Sequence, residues 1–244
     1  MEKSKKSIGI RLQNFYRWAV NIFRYDGLLA LFWRLTCKSF RPLGILGLVT
    51  IFERDLDQPI QEIKAKVDLT IAPAEKSEIE SIIKLVEARD SNGQKAKVQN
   101  IILNRFQKGS LCFLGKIGTE VVHYNWISFN WDESLAGRFL HLKENEAFFL
   151  DAFTLEKWRG EKIYPAVQYQ LFHYLKQRGY RKIYTLVDTD NRSSKKTHYF
   201  HGWQTIGLVL YFTPRGATEG WVWRIRGTVA PFLEKQIPNQ VMKS

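Results

Sequence analysis

The chain has 244 residues, 45% hydrophobic and 14% aromatic, so it folds around an apolar core and is not an intrinsically disordered polyelectrolyte. A formal net charge of +13 and a pI near 9.7 direct it toward polyanions: nucleic acid, an anionic membrane face, or a phosphate-rich cofactor. Its two cysteines, Cys37 and Cys112, fit no metal-ligand spacing and no disulfide framework, which favours a reducing cytoplasmic compartment.

From Met1 to Arg41, nine Lys or Arg stand against Glu2 and Asp26, interleaved with Phe15, Tyr16, Trp18, Phe23, Phe32 and Trp33. Basic helices with aromatic neighbours suit the inner face of a membrane, and equally a helical hairpin packed on its own domain or a dimer contact. The longest apolar stretches, Gly27 to Trp33 and Pro42 to Phe52, fall short of the roughly 18 uncharged residues of a transmembrane helix. Arg11 and Arg17 interrupt the run Ile8 to Val20 and no small-residue cleavage site follows, so no export signal is expected. Asp55-Leu-Asp-Gln-Pro59 then breaks the apolar run. We place a boundary there, between a helical N-terminal extension (1–60) and a main domain (65–227), with a C-terminal tail (228–244).

The main domain alternates elements. A strand over Val67 to Ile71 precedes a helix over Lys76 to Ala88, with Ile79, Ile82, Ile83 and Val86 on one stripe, and a second helix over Ala96 to Phe106. Leu111 to Lys116 and Val121 to Phe129 form a hairpin around Gly118. Strands follow at Ala147 to Thr154, Lys182 to Val187, Thr205 to Phe212 and Trp221 to Ile225. A helix marked by Val167, Leu171, Tyr174 and Leu175 separates the first two, with Pro165 suited to its first turn and Gly179 to its stop. The class is a mixed α/β sheet flanked by helices.

Between the strand ending at Thr154 and the Pro165 helix, the free N–H groups of the first helical turn meet Lys157, Arg159 and Lys162. This is a ready anion site, suited to a pyrophosphate. The segment Arg159-Gly160-Glu161-Lys162-Ile163-Tyr164 resembles the acyl-CoA-binding turn of the GNAT acetyltransferase superfamily, Gln/Arg-x-x-Gly-x-Gly/Ala. Arg159 matches, whereas Lys162 and Tyr164 stand where the pattern has Gly and Gly or Ala. Further on, the stretch from Asn191 to Trp203 resembles the superfamily's Asn-x-x-Ala-x-x-x-Tyr-x-x-x-Gly-Phe, with Asn191, Ser194, Gly202 and Trp203 in register and His198 at the tyrosine position. The resemblance covers about residues 65 to 227 and implies a mostly antiparallel GNAT-like sheet. It also implies an acyl-CoA-dependent N-acyltransferase acting on a primary amine such as an amino sugar or a lipid-linked acceptor.

The same resemblance assigns acetyl-CoA or a longer acyl-CoA to Thr154, Arg159, Gly160, Lys162, Ile163, Tyr164, Asn191 and Ser194. His198 becomes the acid for the leaving thiolate, with Tyr199 as its substitute. Without glycine at 162 and 164, either the turn keeps ordinary helical φ values with Lys162 pointing outward, or the site is degenerate and the chain is a non-catalytic module for a membrane or protein partner. Asn191 is also read as a helix cap. Lys195 and Lys196 could reach a 3′-phosphate or form a solvated basic face. Asp151, between Phe149 and Phe153, reads as a desolvated general base or as a satisfied structural carboxylate. Trp126, Ser128, Asn130 and Trp131 could line an acceptor pocket or simply fill the core. His198 and His201 are spaced like metal ligands, but no third ligand is near, so no metal is expected. Nucleic acid is disfavoured because no helix-turn-helix, zinc or sheet-based RNA motif is present.

Overall fold

The computed structural model describes residues 16, 19–20, 23, 27–89, 95–129, 142–217 and 220–227. Asn130, Trp131 and the tail 228–244 lie outside them, as does most of the segment before Gly27. In chain order the described elements are α1 (Leu28–Phe40), β1 (Gly44–Asp55), β2 (Thr70–Pro73), α2 (Ile79–Arg89), α3 (Lys95–Gln107), β3 (Leu111–Ile117), β4 (Glu120–Ser128), β5 (Glu146–Thr154), α4 (Ile163–Gln177), β6 (Lys182–Asp188), α5 (Arg192–Phe200), β7 (Gln204–Pro214) and β8 (Trp221–Gly227). The strands are ordered β2-β3-β4-β5-β6-β1-β7-β8. Only β5 and β6 run parallel among the strand pairs whose register is described.

The helical extension expected over residues 1–60 is corrected by β1. In Gly44-Ile-Leu-Gly-Leu-Val-Thr-Ile-Phe, Ile45 is exposed but Val49–Phe52 is continuously buried, as in a strand covered on both faces, where no alternation survives to be read. Leu56 N–H donates to Arg181 O at 2.8 Å and Thr189 N–H to Leu48 O at 3.0 Å, an antiparallel pairing of β1 with β6. The first strand of the main domain sits later than expected, at Thr70–Pro73, and Pro165 falls in the first turn of the helix that starts at Ile163, as expected.

The chain divides into two compact units: residues 1–50, 187–196 and 207–227, and residues 51–186, 197–206 and 228–244. In the larger unit, one sheet face carries Cys112, Leu114, Tyr124 and Trp126 against Ile82, Ile83 and Leu85 of α2 and Val98 and Ile102 of α3. On the other face, Phe172 of α4 packs on Phe149 and Trp203 with ring centroids 6.2 and 5.8 Å apart. Trp126 is fully buried against Phe106, so it belongs to the core and not to a pocket wall. In the smaller unit, Phe40 at the end of α1 makes an edge contact with Phe212 of β7, at 6.5 Å.

Candidate active site

Strand β5 is built to part from its neighbour. It pairs in parallel with β6 only from Glu146↔Lys182 to Phe149↔Thr185, then continues to Thr154 on β4 alone. The change coincides with a bulge: Ile127 faces Phe149 and Trp126 faces Asp151, leaving Leu150 as the extra residue. Past Phe149, β5 therefore presents a backbone edge that β6 does not pair, leading straight to the turn before α4.

That turn is a single 3-10 turn over Glu156–Trp158, extended backbone at Arg159, then Gly160 at φ 91° and Lys162 at φ 55°, ψ 25°. Lys162 is the one non-glycine residue with positive φ among the described residues. The expectation of ordinary helical φ at this position is thus corrected: the chain turns left-handed where the GNAT pattern has its first glycine. A side chain there costs about 1–2 kcal/mol through crowding of Cβ against the next carbonyl. The amides of the first turn of α4 have no carbonyl of the helix to bond, and they carry the positive end of the helix dipole. Lys162, Arg159 and Gly160 are exposed, and Ile163 is buried as the first core residue of the helix. Arg159 meets Glu156 only at 3.6 Å on the surface, a contact weak enough to exchange for a phosphate. Lys157 is engaged by Glu120 at 2.7 Å.

Tyr164 does not obstruct the turn, because its side chain points inward. Gln168 Nε2 donates to Tyr164 Oη at 2.6 Å, and Tyr164 Oη lies 3.4 Å from His198 Nε2. Burial pushes the Tyr164 phenol above its usual range. The structure thereby joins two residues that the sequence motifs kept apart: Tyr164 from the turn and His198 from the second motif. His198 is 2% exposed and wedged between Phe52 and Trp203, both at 5.2 Å. Tyr199 is on the outside, its hydroxyl 2.9 Å from Thr205 Oγ1.

Asn191 and Ser194 act as the capping reading expects, Asn191 Oδ1 accepting Ser194 N–H at 3.0 Å at the start of α5. Lys195 donates to Thr189 O at 3.1 Å. Asp151 is not alone among aromatic rings. Arg89 donates to its Oδ1 at 2.5 Å, and Arg105 and Tyr124 reach its Oδ2 at 3.4 and 3.3 Å. These partners come from α2, α3 and β4, all distant in sequence, which is why the flanking phenylalanines suggested a desolvated carboxylate.

Sequence reasoning missed His123. Its Nδ1 lies 2.7 Å from Thr154 Oγ1 and its ring 5.8 Å from that of Tyr164, so it ties the end of β5 to the start of α4. Full burial pulls its pKa down to about 3, so the imidazole is neutral at physiological pH. Its Nε2, Asn125 Oδ1 and Gln168 Oε1 are buried and have no hydrogen-bond partner among the described residues. The readable signal was His123 and Asn125 at i and i+2 inside an otherwise apolar strand, two polar residues on one buried face. Among the described residues, no group of three His, Cys, Asp or Glu could hold a metal.

No protein-family model matches the sequence, and no curated protein is detectably similar to it. Solved structures are similar in fold. A GCN5-related N-acetyltransferase from Sphaerobacter thermophilus superposes with a TM-score of 0.52 at 14% identity, over 68% of this chain and 51% of its own. A GNAT-family acetyltransferase from Colwellia psychrerythraea gives 0.52 at 10%, over 70% and 57%. A tandem GNAT protein from the clavulanic acid biosynthesis pathway gives 0.52 at 11%, over 72% and 56%. The chain thus spans between half and three-fifths of each of these proteins. The chain shares its fold with these GNAT-family proteins, as the two sequence motifs implied.

Proposed function

We propose that this chain is an acyl-CoA-dependent N-acyltransferase that transfers an acetyl or longer acyl group to a primary amine. The observation that carries the reading is the unpaired edge of β5 beyond Phe149, running into the left-handed anion turn at Gly160–Lys162. An extended ligand with amide groups along its arm and a pyrophosphate at its end matches both parts: amides complete a strand edge, and the helix N-terminus takes the phosphates. Arg159, Lys162 and the backbone of Gly160, Ile163 and Tyr164 would hold the pyrophosphate, with Thr154 at the strand end. Asn191 and Ser194 belong to the cofactor side as the resemblance implies.

In such a transfer a C–N bond forms as the thioester C–S bond breaks, the ammonium proton leaves, and the thiolate is protonated. Water would receive the first proton, because Asp151, the carboxylate considered for that role, is engaged by Arg89, Arg105 and Tyr124. His198, hydrogen-bonded with Tyr164, or the exposed Tyr199 would supply the second, and His198→Gln set against Tyr199→Phe separates the two by which variant lowers kcat. The acceptor class, an amino sugar or lipid-linked amine, rests on the resemblance.

Calorimetric titration with acetyl-CoA and with a long-chain acyl-CoA, on the wild type and an Arg159→Glu variant, tests the donor site. Micromolar binding that the charge reversal abolishes is the expected result. Absence of binding by a folded wild type overturns the proposal and favours a non-catalytic module.

A further inference from the structure

We infer that the smaller unit docks on an anionic lipid bilayer through an apolar strip running along α1 and across the β7–β8 hairpin. This goes beyond the acyltransferase reading and does not depend on it.

Helix α1 is turned inside out for a helix in water. Leu28, Leu29, Phe32 and Phe40 share one face by helical spacing, and they are 66, 83, 70 and 40% exposed. The opposite stripe, Arg34, Lys38 and Arg41, lines an open groove of about 710 Å³ with Gly44, Ile45 and Leu46 of β1, and Arg34 is ion-paired with Asp190. Beyond Phe40 the strip continues through aromatic rings. Phe40 meets Phe212 at 6.5 Å, Phe212 lies parallel to Trp221 at 5.9 Å, and Trp221 is followed by Trp223 at 6.5 Å, with both tryptophans about half exposed. A contiguous apolar surface of this kind needs a cover.

Charge selects the cover. The described residues of the smaller unit hold nine Lys or Arg against two Asp, a net +7. A helix is about 10 Å across, which is about one Debye length at 0.1 M salt, so the basic stripe still feels an anionic surface when the apolar face is inserted. Leucine side chains at 66 and 83% exposure gain from hydrocarbon but do not stack on bases, which favours lipid over nucleic acid. Tryptophans suit the interfacial zone of a bilayer. No helix of the described residues is long and apolar enough to cross a membrane, so the contact is with the surface.

The test is flotation of the full chain with vesicles of phosphatidylcholine alone and of phosphatidylcholine mixed with phosphatidylglycerol, with total tRNA as competitor. Binding to the anionic vesicles, weak binding to the neutral ones and a blue shift of tryptophan emission are expected. Leu29→Asp and Phe32→Asp alter exposed side chains and leave the melting curve unchanged. Each should weaken vesicle binding about tenfold, the scale of one inserted apolar side chain. Arg41→Glu should weaken binding to anionic vesicles several-fold and leave neutral ones unaffected. Equal binding to both vesicle types, no binding to either, or displacement of the vesicles by tRNA overturns the inference.

Discussion

Lys162 offers the sharpest test of the site's backbone. If it holds φ 55° and ψ 25°, any residue with a Cβ is strained there and glycine is not. Comparing Lys162→Ala with Lys162→Gly removes the charge in both and isolates the backbone. In ordinary helical geometry Ala would be the more stable by about 0.5–1 kcal/mol, because glycine loses more conformational freedom on folding. In the left-handed region relief of about 1–2 kcal/mol opposes that entropy cost, so Gly should equal or exceed Ala by up to about 1 kcal/mol. For a chain of this size that is an advantage of up to about 2–4 °C in Tm. Thermal and urea melts of both variants measure it, and titration with acetyl-CoA shows whether the relaxed turn binds better. A glycine variant clearly less stable than the alanine variant would refute the left-handed assignment, and with it the explanation of why the family pattern has glycine here.

Tyr164→Phe keeps the buried ring but strands the Gln168 amide donor, and should cost about 1–3 kcal/mol in a urea melt. An unchanged midpoint would show that the hydroxyl is not bonded inside. Asp151→Asn leaves Arg89 and Arg105 without their carboxylate and should destabilise by about 1–2 kcal/mol, since the cluster is partly exposed; a variant of wild-type stability that has lost only activity would assign Asp151 to chemistry alone. His123 and His201 have pKa values pulled down by burial to about 3 and about 4, so the unfolded chain binds protons that the folded one excludes. Stability should therefore hold above about pH 6.5 and fall as pH drops from there toward 4, by about 1.4 kcal/mol per pH unit for each histidine. His123→Gln should shallow that slope, and a slope independent of both residues would contradict their burial as neutral rings.

The sequence by itself determined what short-range pattern can determine. The 3.6-residue stripe of α2, the Gly118 hairpin, the boundaries of α3, β5 and β6 within a residue or two, and the cap at Asn191 all depend on neighbours within a few positions. The two motifs sufficed to point to the fold, because a turn and a helix entry of fixed spacing are themselves local. What only the tertiary structure decided involves partners more than thirty residues apart. β1 read as part of a helical extension because burial on both faces erases alternation, and only its pairing with β6, some 130 residues later, makes it a strand. Asp151 was placed among phenylalanines by its own strand, yet Arg89 and Arg105 arrive from two other helices. The left-handed turn at Lys162 contradicts the residue's own preference, and Tyr164 turns inward to His198, which a second motif supplies. Local propensity is a weak free energy per residue, and wherever burial and pairing across the sheet outweigh it, the chain's conformation is set by contacts that no window of sequence contains.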